Sequence, residues 1–429
     1  MKVHLVGIGG AGVSALALGF VARGDEVSGC DWKESESTLW LASEGIRVVI
    51  GHDAAHVAGL DLLVYTGIVT AGMAEVEAAR ARGVRVLTRP QALAEMLQSP
   101  RSIAVAGSHG KTTVTAMVGH ILVEAGWDPT VMVADGVGSR AGAGGWLVAE
   151  ADESDGSLVA HRPRHALITN VEHDHPDRFP RLEDVTECFR LFLAGLAPEA
   201  LAVVCADDPR LPDLPTAARR VTYGFAAADY SCGRQRPFPL RRGATLLGAV
   251  DLALPGWHNV QDACGAAAMT LELGVGFETV AAALAGFKGA HRRLERLGCW
   301  RGAEVYDDYG HHPSEITATI AAARELTGGR LVLVFQPHRY TRYTVFRDAF
   351  AAALRGADRV IVTEIYAAGE ANPGGLTARG LADIAGAGFA SGPGEARALL
   401  EASVSPGDLV LCMGAGDIWR LGRELAREG

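Results

Sequence analysis

The chain has 429 residues, with 40 Lys and Arg against 50 Asp and Glu for a formal net charge of −10. At about 150 residues per domain this length predicts two or three domains, and the 48% hydrophobic and 21% charged content excludes a disordered chain. No apolar run reaches the ~18–20 residues of a membrane span, and the acidic balance argues against broad binding to nucleic acid or anionic membranes.

Residues 1–98 read as repeated strand–loop–helix units. The predicted strands are KVHLVGIG, EVSGCD, SEGIRVVIG, DLLVYTG and VRVLTRP, and a helix is predicted over about 12–23. Short apolar runs that alternate with helical patterns are typical of a parallel sheet covered by helices. We therefore expect a Rossmann-like N-terminal domain.

Two further α/β domains follow. The second, over 99–294, opens with the strand of SIAVAGSHGKTT, continues through WLVAEADES and HALITNVEHDH, and contains a loop or small hairpin at 232–245. The third, over 295–429, carries the predicted strands AEVYDDYG, RLVLVFQP, RVIVTEIY and DLVLCMGAG. The expected fold is α/β throughout, with a P-loop-type central domain and a Rossmann-like C-terminal domain.

The first glycine loop directly follows the first strand. Gly7, Gly9 and Gly12 form GxGxxG, and Asp31 closes the second strand. Such glycines let backbone N–H groups approach a diphosphate at a helix N-terminus, and the acid can hydrogen-bond a ribose or a base. The motif alone leaves three alternatives: a dinucleotide cofactor, another diphosphate nucleotide, or a plain strand–helix turn.

A second glycine loop lies between a strand and an amphipathic helix. Its residues are Gly107, Ser108, His109, Gly110, Lys111, Thr112 and Thr113. Backbone amides and the lysine would cradle the phosphates of ATP, and the Thr112 hydroxyl would bind Mg²⁺. Val105 stands where the full P-loop spacing has its first glycine. The pattern nevertheless predicts ATP or GTP binding.

Acidic and histidine clusters end the next two strands. Glu150, Asp152, Glu153 and Asp155 fall within six residues, where mutual repulsion favours a bound cation or a solvated, helix-capping turn. The segment 170–175, NVEHDH, lacks the cysteine pair or third histidine of a zinc site. Two roles stay open for its histidines: one of them binds a second Mg²⁺, or it is structural.

At this point the motifs carry a family resemblance. The matching segments are GIGGAGVS at 7–14, AGSHGKTTVTAM at 106–117, AEADESDGS at 149–157, TNVEHDH at 169–175, PGWHNVQDA at 255–263, RRLE at 292–295, DDYGHHPSEI at 307–316, FQPHRYTR at 335–342, YAAGE at 366–370 and MGAGDI at 413–418. They resemble, in order and across all three domains, the Mur ligases of bacterial cell-wall synthesis. DDYGHHPSEI and HRYTR are most similar to the member that adds alanine.

The resemblance implies a reaction. ATP would phosphorylate the lactyl carboxylate of UDP-N-acetylmuramate, and the amine of L-alanine would attack the acyl phosphate. Phosphorylation supplies the good leaving group that a carboxylate lacks, and the site must then screen several negative charges. The implied substrates are UDP-N-acetylmuramate, L-alanine and ATP, with Mg²⁺ as the cofactor.

The resemblance also assigns residues. It assigns ATP binding to Gly107, Ser108, His109, Gly110, Lys111, Thr112, Thr113, His258, Asn259, Arg293 and Asp308. It assigns the uridine diphosphate part to Gly7, Gly9, Gly10, Gly12, Asp31 and His52, and the L-alanine pocket to Tyr309, His311, His338, Arg339 and Arg342. Catalysis would use Lys111, Glu153, His175 and Arg293, with Thr112 and Glu153 on the first Mg²⁺ and His175 on the second.

The chain departs from the family pattern in several places. It has no lysine between Lys111 and Lys288, so the carbamylated lysine that several later-step Mur ligases use is excluded. Asp262 replaces a usual Asn near the adenine, the segment 131–145 lacks an Ile-x-Gly-Gly stretch, and TGIVTAGMAE at 66–75 lacks the usual Asn-Pro. These departures bear on the identity of the substrate more than on the reaction class.

Other interpretations remain at this stage. Three alternatives are a recycling ligase that attaches a preformed peptide, an NAD-dependent oxidoreductase, and a degenerate nucleotide-binding partner. Locally, His311 and His312 would cap a helix, Arg339 and Arg342 would form a solvated helix face, and Trp257 belongs to the core. Seven cysteines without a CxxC pair indicate buried thiols in a reducing cytoplasm. We expect a cytoplasmic monomer or weak homodimer.

Overall fold

The computed structural model describes residues 1–66 and 73–429, so most of the predicted departure at 66–75 lies outside the described residues. The chain forms two compact units. The first contains Met1–Glu172, Glu183–Leu252 and Gln261–Phe287; the second contains His173–Leu182, Ala253–Val260 and Lys288–Gly429. The predicted domain boundaries near 98 and 294 stay predictions.

The first unit begins with a five-stranded parallel sheet of order β3-β2-β1-β4-β5. Its strands are β1 (Lys2–Val6), β2 (Glu26–Asp31), β3 (Arg47–Ile50), β4 (Leu62–Tyr65) and β5 (Arg85–Thr88). Its helices are α1 (Ala11–Ala22), α2 (Glu36–Ser43), α3 (Ala74–Ala81) and α4 (Arg89–Met96), with a 3₁₀ turn at Ala54–Val57. Capping boxes at Ser35 and Thr88 begin α2 and α4 by satisfying their first amides.

A nine-stranded sheet completes the first unit, in the order β14-β13-β12-β11-β10-β9-β6-β8-β7. Its strands are β6 (Ser102–Ala106), β7 (Thr130–Met132), β8 (Leu147–Glu150), β9 (His165–Ile168), β10 (Leu201–Cys205), β11 (Arg219–Gly224), β12 (Tyr230–Cys232), β13 (Phe238–Arg242) and β14 (Thr245–Val250). The associated helices are α5 (Lys111–Glu124), α6 (Leu182–Ala194), α7 (Trp257–Glu272) and α8 (Phe277–Gly286). Strands β13 and β14 pair antiparallel, which confirms the predicted hairpin.

The second unit is built on a six-stranded sheet of order β15-β16-β20-β17-β18-β19, parallel except for β15. Its strands are β15 (Glu295–Trp300), β16 (Ala303–Asp308), β17 (Leu331–Phe335), β18 (Arg359–Thr363), β19 (Gly388–Ala390) and β20 (Leu409–Met413). Its helices are α9 (Pro313–Leu326), α10 (Tyr340–Leu354), α11 (Arg379–Ala385), α12 (Pro393–Glu401) and α13 (Trp419–Glu428). Strand β17 is wholly apolar because it contributes to cores on both faces of the sheet.

Two general expectations can be compared with the structure. Six of the seven cysteines are buried thiols, whereas Cys299 is exposed, because it lies on the edge strand β15. Across residues 1–66 and 73–429, every helix is too short or too polar to cross a bilayer.

Candidate active site

The second glycine loop joins β6 to α5 through two residues with positive φ. Gly107 has φ +143° and Gly110, which caps α5, has φ +81°. A Cβ on Gly107 would collide with the Thr169 hydroxyl, so this position requires glycine both for its backbone and for its space. The N–H groups of the first turn of α5 have no acceptor within the helix, as an anion-binding loop requires.

The residues that follow β9 hold this loop in place. Thr169 Oγ1 donates to the His109 carbonyl at 2.5 Å, and Asn170 Oδ1 accepts from the His109 N–H at 2.9 Å. Ser108 Oγ accepts from the Glu172 N–H at 2.8 Å. The polar end of this strand was predicted, but the anchoring role of Thr169 and Asn170 was not. The signal was present, since neighbouring parallel strands end at the same edge of a sheet.

Lys111 lies buried among the carboxylates at the end of β8. Its Nζ is 2.8 Å from Glu153 Oε2 and 3.2 Å from Asp152 Oδ1, and it donates to the Ser108 carbonyl at 3.3 Å. Burial disfavours the ammonium, but Glu153, Asp152 and Glu150 outweigh it and raise the pKa of Lys111 above its usual value. The lysine therefore stays charged, and the predicted repulsion within the acidic cluster is offset by this ammonium.

Thr112 faces a different carboxylate. Its hydroxyl donates to Glu150 Oε2 at 3.0 Å, and the same oxygen accepts from the Ala134 N–H at 3.0 Å. The hydroxyl and the carboxylates at the end of β8 are hard oxygen donors of the kind that Mg²⁺ prefers. The residues present thus fit a magnesium ion.

The first glycine loop is held by the end of β2. The Gly7 and Ile8 amides donate to the Cys30 carbonyl at 2.8 and 3.1 Å, and the Gly9 amide donates to Asp31 Oδ2 at 2.9 Å. Asp31 therefore shapes the loop itself. Gly10 caps α1 and Gly12 lies in its first turn. The predicted loop residues are together at one edge of the sheet.

Arg89 is a candidate site residue that was not predicted from the sequence. It follows β5, and its side chain lies so close to Gly12 that a Cβ there would be 3.0 Å from Arg89 Cδ. Its Nη2 is 3.2 Å from Asp155 Oδ2 of the acidic cluster. A guanidinium beside a diphosphate-binding loop supplies charge of the right sign. Its position directly after a strand was the available signal.

In the second unit, Arg293 and Asp308 lie near the start of α9. Asp308 accepts from the Leu294 and Gly310 amides at 2.8 and 2.7 Å, and burial raises its pKa to about 6 although Arg293 opposes the shift. Burial and then Arg293 lower the pKa of His258 to about 4, so its imidazole is neutral. Asn259 is buried and donates to the Pro255 carbonyl at 2.7 Å.

Four of the five residues predicted for the alanine pocket form one cluster. The ring centroids of Tyr309 and His311 are 5.4 Å apart, those of His311 and His338 are 5.8 Å apart, and His338 Nδ1 is 3.3 Å from Arg342 Nη1. Burial and then Arg342 lower the pKa of His311 to about 3; burial, His311 and Arg342 lower that of His338 to about 2. The cluster therefore presents neutral imidazoles beside the Arg342 guanidinium, and the guanidinium groups of Arg292 and Arg293 lie 5.0 and 5.4 Å from the Tyr309 ring centroid.

The two arginines of this segment differ. Arg342 is buried, and both its Nε and Nη2 donate to Asp174 Oδ1, at 2.9 and 2.8 Å. The expectation of a solvated face is therefore wrong for Arg342. Arg339 begins α10 with φ +69° and pairs with Asp177 and Glu370 at 2.9 and 3.4 Å. Its guanidinium therefore contacts these two carboxylates, whereas that of Arg342 contacts His338 and Asp174.

His175, Trp257 and His312 are other predicted residues whose surroundings the structure describes. His175, in the second unit, has φ +53°, and its N–H donates to Asp174 Oδ1 at 2.7 Å. Trp257 is 42% exposed, so its assignment to the core is wrong; the first turn of α7 points it toward solvent. His312 caps α9, with its side chain accepting from the Ser314 N–H, which confirms the capping interpretation for that histidine.

Models of one protein family match most of the chain. The model described as Mur ligase family, catalytic domain, matches residues 2–101. The Mur ligase middle domain matches residues 145–270, and the model described as Mur ligase, glutamate ligase domain, matches residues 292–416.

Individual relatives are similar over nearly their whole length. The UDP-N-acetylmuramate–L-alanine ligase of Symbiobacterium thermophilum is 43% identical over 458 residues, covering 99% of this chain and 94% of the relative. The crystal structure of UDP-N-acetylmuramate-alanine ligase from Thermotoga maritima has a TM-score of 0.83 at 30% identity, covering 100% and 99% of the two chains. A murein peptide ligase from Psychrobacter arcticus has a TM-score of 0.71 at 26% identity, covering 99% and 98%.

Proposed function

This chain belongs to the Mur ligase family, and on that premise we propose that it joins L-alanine to the lactyl carboxylate of UDP-N-acetylmuramate with ATP as the energy source. The substrate assignment is supported by the 43% identical alanine ligase that spans nearly the whole chain. The chemistry proceeds through an acyl phosphate, whose phosphate leaves when the alanine amine attacks.

The observation that carries the proposal is the placement of Lys111 at the phosphate-type loop. Its ammonium is held 2.8 Å from Glu153 on one side and 3.2 Å from Asp152 on the other. Glu153 is 1% exposed while Asp152 is 29% exposed, so the Asp152 contact is the one an arriving phosphate replaces. Lys111 thus keeps its orientation through Glu153 while it neutralises the transferring phosphoryl group.

The metal partners follow from the same contacts. The hydrogen bond from Thr112 to Glu150 favours Glu150, rather than the predicted Glu153, as the carboxylate that shares an ion with Thr112. Bound Mg²⁺ would neutralise charge on the phosphates. Glu153 then acts through Lys111. The assignment of His175 to a second Mg²⁺ stays a prediction.

We assign the first glycine loop to the uridine diphosphate part of the substrate. The N-terminus of α1 and the guanidinium of Arg89 suit a diphosphate. In the second unit, we assign the alanine to the cluster of Tyr309, His311, His338 and Arg342. Neutral imidazoles there accept or donate hydrogen bonds to a zwitterion without adding charge.

The test is phosphate release from ATP with Mg²⁺ and UDP-N-acetylmuramate, with the product identified by mass. We expect ligation with L-alanine alone. Activity only with the tripeptide L-Ala-γ-D-Glu-meso-diaminopimelate would replace the proposal by a recycling ligase. Silence with every acceptor would contradict the proposal altogether.

Matched variants separate the two carboxylate roles. Glu150→Gln is expected to weaken the Mg²⁺ dependence, seen as a higher Mg²⁺ concentration for half-maximal rate. Glu153→Gln is expected to lower the rate at every Mg²⁺ concentration, because Lys111 loses its buried partner. The exposed Lys288, replaced by Met, is the control and is expected to match the wild type. An unchanged Mg²⁺ dependence in Glu150→Gln would return the metal assignment to Glu153.

A further inference from the structure

A cluster of metal-binding side chains lies beneath the first glycine loop, away from every residue assigned to ATP. His4 lies on β1, Cys30 on β2, His56 in the 3₁₀ turn, and Glu75 on α3. These residues converge on one side of the five-stranded sheet, next to the apolar core formed by Val6, Cys30, Val57, Leu63, Val76 and Ala79.

Three distances between neighbouring ligand atoms of the cluster match those around a tetrahedral ion, and Cys30 is shared by two groups of ligand atoms, one with His4 and His56 and one with His52 and Glu75. His4 Nε2 is 3.3 Å from Cys30 Sγ, Cys30 Sγ is 3.4 Å from Glu75 Oε1, and Glu75 Oε1 is 3.5 Å from His56 Nδ1. One ligand atom from each of His4, Cys30 and His56 lies within 4.8 Å of the others. Ligands about 2.0–2.3 Å from a tetrahedral zinc ion are themselves about 3.3–3.7 Å apart.

The hydrogen bonds orient the ligands and leave them incompletely satisfied. The Ser28 hydroxyl donates to the Val3 carbonyl, so its oxygen accepts from His4 Nδ1 at 2.9 Å and turns the Nε2 lone pair toward Cys30. The single Cys30 proton faces both His4 and Glu75.

Two buried polar atoms of the cluster make no hydrogen bond within the described part of the chain. They are His56 Nδ1 and Glu75 Oε2, and the Glu75 side chain is fully buried. A buried carboxylate oxygen without a donor destabilises the folded state, so such an atom calls for an explanation. The other Glu75 oxygen, Oε1, from which the distances above are measured, accepts from the Asp53 N–H at 3.0 Å and contacts His52 Nδ1 at 2.9 Å, so these two residues hold the carboxylate in place and leave Oε2 for the ion.

We propose that His4, Cys30, His56 and Glu75 bind a zinc ion. A thiolate, two imidazoles and a carboxylate make a donor set that suits Zn²⁺ and disfavours Mg²⁺. On binding, the Cys30 thiol loses its proton to solvent and a sulfur–zinc bond forms. The ion enters past His56, whose side chain is 18% exposed. The bound ion links β1, β2, the 3₁₀ turn and α3. It therefore stiffens the strand ends that support the first glycine loop through Cys30 and Asp31.

Cobalt titration of the full-length protein tests this site. Chelator-treated protein is titrated with Co²⁺ in excess Mg²⁺, which occupies oxygen-donor sites. We expect one equivalent of Co²⁺ to give a thiolate-to-cobalt charge-transfer band in the near ultraviolet and Zn²⁺ to abolish it. Absence of that band at saturating Co²⁺ would overturn the proposal.

Variants identify the ligands. Cys30→Ser is expected to lose the band, while Cys299→Ser, at the exposed cysteine, keeps it. His56→Ala, at the partly exposed ligand, keeps the band but binds Co²⁺ at least about tenfold more weakly, and it remains informative if Cys30→Ser fails to fold. A band that survives Cys30→Ser, or an unchanged affinity in His56→Ala, would refute the assignment.

Discussion

Replacement of Lys111 by Met removes the ammonium that contacts Glu153 and Asp152, and we expect a loss of both stability and turnover. Removal of one partner of a buried ion pair costs roughly 3–5 kcal/mol. The lower end, about 3 kcal/mol, applies here because Asp152 is 29% exposed and keeps access to water. For a domain of 150–250 residues, each kcal/mol of lost stability lowers the unfolding temperature by about 2–4 °C, so we expect a fall of ~6–12 °C.

A second substitution separates the structural loss from the functional one. Burial, opposed by Lys111, already raises the pKa of Glu153 above its usual value, and without the ammonium its charge is still harder to keep. Lys111→Met/Glu153→Gln removes that buried charge, so we expect it to recover about 2 kcal/mol of the loss. Phosphate release stays undetectable, because no cation remains to neutralise the phosphoryl group.

The assays are thermal unfolding followed by near-ultraviolet circular dichroism, and phosphate release at a temperature where both variants are folded. Binding of UDP-N-acetylmuramate is expected to persist in both. An unfolding temperature of Lys111→Met equal to that of the wild type would show that the buried pair contributes nothing. Turnover in the double variant would contradict the role of Lys111 at the phosphates.

Three further predictions concern other parts of the molecule. Gly107→Ala is expected to lower the free energy of unfolding by at least about 3 kcal/mol and to leave no ATP binding detectable by calorimetry. Gly24→Ala, at φ +80° in open space, is expected to lower the free energy of unfolding by only about 1 kcal/mol. Arg342→Met is expected to destabilise by about 3–5 kcal/mol in thermal unfolding, against at most about 0.5 kcal/mol for Arg347→Met on the same helix; equal shifts would refute the buried-pair argument. Burial lowers the pKa of His161 from 6.5 to about 4, so the folded state binds fewer protons than the unfolded state and stability falls as the pH drops through that window. Between pH 7 and pH 5 the wild type should therefore lose about 2 kcal/mol more than His161→Leu in urea unfolding, and parallel pH profiles would contradict this.

Local signals made much of the fold predictable. The strand EVSGCD was located to the residue as β2, and the predicted helix at about 12–23 corresponds to α1 at Ala11–Ala22. Both elements have clear apolar patterns and are bounded by glycine or charged residues. The two glycine loops were equally visible, because a tight turn between a strand and a helix requires glycine at fixed spacing.

Long-range contacts were beyond the sequence. Arg342 and Asp174 are 168 positions apart, and nothing local reveals that the arginine turns inward to that carboxylate. The choice between Glu150 and Glu153 depends on which side chain points at Thr112, and neighbouring carboxylates at a strand end differ only in direction. The cluster beneath the first glycine loop has the same character, because its ligands come from four separate elements without a recognisable spacing.

The buried pair of Asp174 and Arg342 also has a consequence for synthesis of the protein. The segment His173–Leu182 belongs to the compact unit that is otherwise built mainly from Lys288–Gly429. A ribosome adding about 5–20 residues per second takes roughly 8–34 s to proceed from Asp174 to Arg342. During that interval Asp174 has been synthesised, but Arg342, whose guanidinium it later binds, has not. The second unit can therefore close only after most of the chain has been translated.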